Sequence, residues 1–332
     1  MAQATTYDAV GNREDLTDLM TMIDPAQTPV WSMAAKGRAD AMLHEWQVDS
    51  LATRSIAGVE EGDDVSSFEN KEANIARTGN RCQRLRTTWK VTEEQQAVST
   101  AGIEDNKAYA KMKALKELKR NIEARICSDE DLTTGAAGTP SAMRGLGDWI
   151  DNTGPGNLTS TYHTPDASYL ATLTANFTET ILNNVQQSVY EQSGEMNSYV
   201  FVLGPNLKQA VTLLGRNQTV AATSSAVAIR ATVEQASSNS LTANILEYEG
   251  DFGSLTLINS VHLGIGTDGA FDEVSQARGY IFRPSMIEVN ELIATHDKDL
   301  EDQGGGPRGY VSSTLTLTVK NPLDFGGFNG AS

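Results

Sequence analysis

Between residues 103 and 130 the apolar positions Ala108, Met112, Leu115, Leu118, Ile122 and Ile126 recur at spacings of three and four. That period predicts one amphipathic helix, with Lys113/Glu117 and Lys119/Glu123 at the i,i+4 spacing of ion pairs. At a rise of about 1.5 Å per residue such a helix spans roughly 42 Å, so it must lie across a sheet or along another subunit. A second helix is predicted over Tyr169–Glu191, with Leu173, Phe177, Ile181, Val185 and Val189 on one face. A third opens at Pro205, a residue suited to the first helical turn, and carries Leu207, Val211 and Leu214. Tyr199–Leu203 reads as a buried strand, with further strands around 245–248, 254–259 and 280–283. At 313–320, Leu315, Leu317 and Val319 alternate with polar residues, which predicts a strand.

The N-terminal third has a different texture. Residues 1–45 read as an extended arm with short helical pieces: Asp15 can cap a turn at Leu16, and Asp24-Pro25 and Thr28-Pro29 interrupt helix. Such a segment buries little against itself and needs something to lie upon. Residues 44–49 alternate, 85–91 alternate less perfectly, and between them stands the polar stretch Glu60-Glu61-Gly62-Asp63-Asp64. The pattern predicts a protruding hairpin of two long strands, since a connection of that size without a core is functional or flexible. Gly135–Gly156 is a loop region rich in Gly, Thr and Pro, and no internal repeat is evident.

Charge adds one feature. The 332 residues carry 26 Lys+Arg against 43 Asp+Glu, a net −17. From Lys71 to Arg125, however, thirteen cations meet seven acids, so this segment is +6 and the remainder −23. A pI near 4.6 excludes a protein that wraps nucleic acid through its surface. It suits a wall that must not stick to DNA, with a basic element that docks on an acidic neighbour. Hydrophobic residues at 39% exclude wholesale disorder. Cys82 and Cys127 cannot build a disulfide framework, and neither a secretory leader nor an apolar membrane run is present in the sequence.

Chemistry finds little purchase. Gly264-Ile265-Gly266-Thr267-Asp268-Gly269 satisfies G-x-G-x-x-G, but Ala270–Arg278 offers at most two turns of helix before the next strand. No βαβ unit forms to present helix amides to a pyrophosphate, and a glycine-rich turn accounts for the motif. His44, His163, His262 and His296 are scattered, with no i,i+4 pair and no Cys beside them, which argues against zinc. No G-x-S-x-G elbow and no P-loop occur. Asp297–Asp302 starts like a calcium loop, yet Asp302 stands where glycine is needed and the distal Glu is missing, so a solvated acidic turn is expected. Lys113, Lys116 and Arg120 lack interleaved aromatics and make a poor nucleic-acid platform. No enzyme activity, cofactor or metal is predicted.

An arm without a core, a protruding hairpin, one long helix, an α/β lobe and a returning strand make sense for a subunit covered by copies of itself. Arg13-Glu14-Asp15-Leu16-Thr17-Asp18, Ile23-Asp24-Pro25, Thr28-Pro29, Trp46 with Asp49 and Leu51, and Glu61-Gly62-Asp63 follow one another in order. Gly279-Tyr280, Arg283-Pro284, Asp297-Lys298, Thr314-Leu315-Thr316-Leu317, Asn321-Pro322 and Gly326-Gly327 continue the series. In this order the sequence resembles the major capsid proteins of tailed bacteriophages with the Hong Kong ninety-seven fold. The likeness rests on both ends; residues 135–275 match by architecture.

The resemblance implies an α+β fold divided into an N-terminal arm (1–45), an extended β-hairpin loop (46–100) and a peripheral domain (101–165) with a spine helix at 103–130. An α/β axial domain (166–275) and returning strands (276–332) complete it. It further implies a non-enzymatic virion protein, assembled in the host cytoplasm into pentamers and hexamers of an icosahedral shell. The shell would enclose double-stranded DNA without sequence-specific binding. The implied partners are further copies of the chain, a portal, and scaffolding or decoration proteins; no membrane is involved. Candidate contact residues between subunits are Trp46, Glu60, Glu61, Asp63, Asp64, Lys71, Arg77, Arg81, Arg84 and Arg86. Some family members join subunits by a Lys–Asn isopeptide bond, but no motif here assigns such a pair. Two alternatives stay open: an encapsulin-type compartment that packages protein, and a soluble α/β hydrolase or binding protein.

Overall fold

The computed structural model describes residues 27–329 except 99, 101, 152, 157, 171–176, 196–197, 215–244 and 266–275. The expected arm before residue 27 and most of the G-x-G-x-x-G segment lie outside the described residues. In chain order come α1 (Pro29–Met33), β1 (Ala35–Arg38), β2 (Leu43–Val48), β3 (Ala76–Arg81), β4 (Gln83–Lys90) and α2 (Glu93–Ala97). Next are α3 (Asn106–Ile126), α4 (Leu146–Ile150), β5 (Tyr169–Leu170), α5 (Glu179–Ser193), β6 (Ser198–Leu203) and α6 (Pro205–Leu214). The chain ends with β7 (Glu247–Gly250), β8 (Gly253–Asn259), β9 (Gly279–Phe282), β10 (Ile287–Leu300), β11 (Arg308–Val319) and β12 (Gly326–Phe328). The sheet orders are β1-β10-β11-β4, β5-β12-β9-β6-β8-β7, and the pair β2-β3.

Two compact units share these elements. One holds residues 86–118 and 296–312; the other holds 27–85, 119–295 and 313–329. In the first, Trp89 is 94% removed from solvent and lies 5.0 Å and 5.8 Å from the Lys111 and Lys107 ammonium groups. The same lysines pair with Asp297 (2.8 Å from Lys111) and Asp299 (3.0 Å from Lys107). Gly309 meets the indole so closely that a Cβ there would lie 2.6 Å from it. At the hairpin tip, Asp302 Oδ1 accepts the amides of Gly304 and Gly305, making an Asx turn.

In the second unit the six-stranded sheet carries the largest core. Strands β6 and β8 run parallel, and β9 is antiparallel to β6 and β12. Helix α5 lays Leu182, Val185 and Val189 on this sheet, against Phe201, Leu203, Leu255, Ile281 and Phe328. Thr178 caps α5 through the Ile181 amide, and Gly194 ends it at φ +66°, a left-handed position suited to glycine. The predicted start of this helix at Tyr169 is wrong, because Tyr169-Leu170 pairs parallel with Gly327-Phe328. The returning strand is longer than predicted and buried on both faces: Ser313 and Thr316 are as inaccessible as Leu315 and Leu317.

Three further differences carry physical reasons. The long helix begins at Asn106, where Asp105 Oδ1 accepts the amides of Lys107 and Ala108. Its predicted apolar stripe divides: Leu118, Ile122 and Ile126 are buried, while Met112 and Leu115 are exposed, because the first turns present Lys111 and Ala114 inward instead. Glu123 forms no surface pair with Lys119; it is fully buried and bonds backbone amides. Finally, the partner of β2 is β3, in the register Leu43↔Arg81 to Val48↔Ala76, and not 85–91. The latter segment, as β4, borders β11 in another sheet.

Candidate assembly surfaces

A hairpin stands on β2 and β3 as its stem with residues 49–75 as its loop, a shorter element than the expected one closed by 85–91. Its root is fixed from below. Trp46 stacks on the fully buried Trp149 with centroids 5.5 Å apart. On β3, the Asn80 side chain has no exposure and no unmet bond. Its Nδ2 donates to Leu317 O (2.8 Å) and Arg144 O (3.2 Å), and its Oδ1 accepts Arg144 N and Arg81 N (2.8 Å each). Gly79 is required beside it, because a Cβ would approach His44 O to 2.8 Å.

The loop neck is tied by Tyr162, whose hydroxyl bonds Asn74 O and sits 3.1 Å from Ser50 Oγ, and by Asn74 Nδ2 on Ser50 O at 3.0 Å. Beyond the neck the chain buries nothing. Leu51 is 97% exposed and Phe68 89%, with Ile56, Val59 and Val65 also exposed. The tip turns where Asp63 N bonds Glu60 O, with Gly62 at φ +88° in the third position of the turn, as a type II turn requires. Lone exposed apolar residues are ordinary, but five large ones on a coreless loop mark an interaction surface.

The predicted contact residues do not form one cluster. Glu60, Glu61, Asp63 and Asp64 are exposed at the loop tip, and exposed Lys71 pairs with Glu69 at 2.5 Å. Arg77 and Arg81 are on β3, where the Arg77 guanidinium bonds Glu45 across the stem. Arg84 and Arg86 are exposed on β4, with Arg86 lying 5.9 Å from the Tyr310 ring centre. Trp46 is half-buried against its own subunit. The apolar loop residues Ile56, Val59, Val65 and Phe68 are missing from the sequence-based set. Their signal was available: four large apolar side chains in a polar segment with no helical or strand period.

A cleft of about 350 Å³ opens beside β2, lined by His44, Trp46, Asn290, Thr318, Lys320 and Arg38 among others. Its two cations are each engaged, Lys320 with Glu288 at 3.2 Å and Arg38 with Asp40 at 3.3 Å. Among the described residues no group of three or more His, Cys, Asp or Glu could hold a metal ion. No helix among them is long and apolar enough to cross a membrane. Cys82 and Cys127 are free and buried, and burial pushes the Cys82 thiol up to about 11, which leaves it unreactive.

A polar cluster surrounds the buried Arg144 and reaches the surface at Asp131. Arg144, 1% exposed, has its Nε 2.8 Å from Asp131 Oδ1 and 2.6 Å from Asp148 Oδ2, and its guanidinium lies 5.0 Å from the Trp149 ring. Burial raises Asp148 to about 6 despite Arg144, with Asp131, Asp129 and Asp151 adding to the rise. This arrangement supports the hairpin root; it holds no open site for a substrate.

Known structures share the fold. The capsid of the native GTA particle superposes with a TM-score of 0.59 at 13% identity, covering 98% of this chain and 97% of that one. The capsid of cyanophage P-SCSP1u gives 0.56 at 11% identity, covering 96% and 93%. The holo-SrpI encapsulin complex of Synechococcus elongatus PCC 7942 gives 0.53 at 10% identity, covering 96% and 92%. At these identities the likeness shows the fold, the mixed α+β fold of phage major capsid structures. No curated protein sequence matches the chain. The family described as SU10 major capsid protein matches residues 3–332, nearly the whole chain. The chain therefore belongs to the SU10 major capsid protein family, whose members are structural proteins of the phage capsid shell and not enzymes.

Proposed function

We propose that this chain is the repeating subunit of an icosahedral head, set in pentamers and hexamers around double-stranded DNA and assembled in the host cytoplasm. The observation that carries this reading is the 49–75 loop, whose exposed Leu51, Ile56, Val59, Val65 and Phe68 have no core in their own subunit. A second copy supplies the missing cover, and obligate interfaces of this kind bury about 2,000 Å² or more. In this reading residues 1–45 act as the arm, 46–100 as the extended loop and 103–130 as the spine of the peripheral domain. Residues 166–275 gather at the symmetry axes and 276–332 return to the periphery. Trp46 sets the loop root, Glu60, Glu61, Asp63 and Asp64 lead the contact, and Lys71, Arg77, Arg81, Arg84 and Arg86 receive acidic surface.

A net charge of −17 suits an inner wall that repels packaged phosphate rather than binding it. A portal and scaffolding or decoration proteins complete the set of partners. The likeness to an encapsulin is one of fold, and cargo separates the two readings. Particles released by the producing host should contain nuclease-protected double-stranded DNA and show five- and six-fold clusters. Particles loaded with enzyme and free of nucleic acid would replace this reading with the compartment one.

A further inference from the structure

The first described turn is built on an unusual support. Helix α1 starts at Thr28-Pro29, but the Thr28 side chain makes no capping bond, so the free amides of Val30 and Trp31 are not met by their own sequence. Glu123, from the middle of α3, meets both. Its Oε1 accepts Val30 N at 2.8 Å and its Oε2 accepts Trp31 N at 2.7 Å. On the preceding residue, the buried His262 places Nε2 3.0 Å from Gln27 O. That carbonyl fixes the imidazole proton on Nε2, and Nδ1 has no partner. Two ammonium groups lie near the Trp31 ring, Lys36 Nζ at 3.9 Å and Lys119 Nζ at 5.8 Å from its centre.

We propose that Glu123, backed by His262, is the anchor that fixes the point from which residues 1–26 depart, and that shell assembly depends on this anchor. The inference rests on the self-assembly reading above and names a positioning residue within it. Three features favour a positioning role over packing. Both ligands are backbone groups, so the anchor holds residues 27–31 whatever side chains they carry. The carboxylate is wholly buried, where an apolar side chain would avoid the cost of desolvation. Both carboxylate oxygens are used, so the grip sets direction as well as distance.

The anchor is proton-linked. Burial raises the Glu123 carboxyl above its usual range, against the bonds from Trp31 and Val30, the charge of Lys36 and a weak contact from Cys127 at 3.9 Å. Burial first, and Arg120 next to it, lower His262, against its bond to Gln27. Glu291 faces Lys36 from β10. A protonated Glu123 loses an acceptor. Because its folded value lies above the unfolded one, the native state takes up that proton without losing stability from this group. Acid release of the anchor is therefore local and separable from unfolding. His262 works in the opposite sense: its contribution is present above about 6.5 and falls away as pH drops toward its lowered folded value.

The test uses the full chain. Glu123→Gln mimics the protonated state, so hydrogen exchange at Val30 and Trp31 in the unassembled subunit should speed up by about tenfold or more. Shell yield should fall by a similar factor, with the thermal midpoint little changed. In the wild type the protection factors at these two amides, which correct for the slower intrinsic exchange in acid, should fall as the solution is acidified, while those of the sheet amides hold. His262→Phe, which keeps volume and removes the donor, should lower yield in the same direction. Full yield of shells from either folded variant, or unchanged exchange in Glu123→Gln, overturns the anchor. If Glu123→Gln does not fold, the wild-type pH response and His262→Phe decide. Failure of the wild type itself to form shells would instead remove the self-assembly reading.

Discussion

Trp46 on β2 and Trp149 on α4 stack with ring centroids 5.5 Å apart and planes inclined at 38°. Trp149 is fully buried and Trp46 half-buried, so the pair joins the hairpin root to the core beneath it. Trp149→Ala should destabilise the subunit by about 3–5 kcal/mol, the usual range for a buried large aromatic. Trp46→Ala should cost about 1–2 kcal/mol, since less area is lost. Denaturant midpoints at unchanged slope report both; the reverse ranking would place the root elsewhere.

The loop beyond that root separates folding from assembly. Ile56→Ser and Phe68→Ser remove apolar surface that touches nothing in the subunit. Subunit stability should stay within about 0.5 kcal/mol of wild type. Shell yield, counted by electron microscopy, should drop strongly in the double variant. Normal yield would mean that the exposed side chains are not an interface.

Charge reversal tests the basic positions. Changing Lys71, Arg77, Arg81, Arg84 and Arg86 to Glu should impair shell formation more than folding. The one described pair it breaks across the stem, Arg77 with Glu45, is largely solvent-exposed on the arginine side and contributes about 0–1 kcal/mol. Shells at wild-type yield would contradict docking through these residues.

In the unit of residues 86–118 and 296–312, Trp89 should dominate the ion pairs around it. Trp89→Ala should cost about 3–5 kcal/mol, whereas Asp299→Asn, whose pairs are half-exposed, should cost far less. Gly309→Ala should cost about 1–3 kcal/mol by driving a methyl into the indole. Salt should weaken only the Asp299 contribution. Calorimetry in low and high salt reads all three.

Asp148 gives a pH dependence of defined sign. Its folded value of about 6 exceeds the ordinary 3.8, so the native state binds more protons than the unfolded chain between these limits. Ionised Asp148 therefore costs stability at pH 7, by about 1–2 kcal/mol relative to pH 4 once solvent screening of its exposed part is allowed for. Asp148→Asn stays neutral throughout and leaves Arg144 paired with Asp131. The variant should gain on wild type as pH rises from 4 to 7. A stability difference independent of pH would show that Asp148 is not buried as described.

Sequence pattern reached the elements whose burial is apolar. Leu118, Ile122 and Ile126, the α5 face and the strand through Leu315, Leu317 and Val319 all announced themselves by period. Strand β3 did not, because its buried positions are Thr78, Gly79 and Asn80, and what fixes it is the hydrogen bonding of the Asn80 amide, which hydropathy cannot see. Glu123 misled for a related reason: i,i+4 spacing to Lys119 looked like a surface pair, while its real ligands are amides ninety residues earlier. The apolar loop residues lacked any period, which is itself the mark of side chains awaiting a partner.

The central claim is that the chain builds a closed shell from copies of itself. Negative-stain electron microscopy of the purified full-length protein tests it most directly. The account predicts uniform closed particles with five- and six-fold clusters of subunits. Monodisperse single subunits under the same conditions, with the 49–75 loop uncovered, would contradict it.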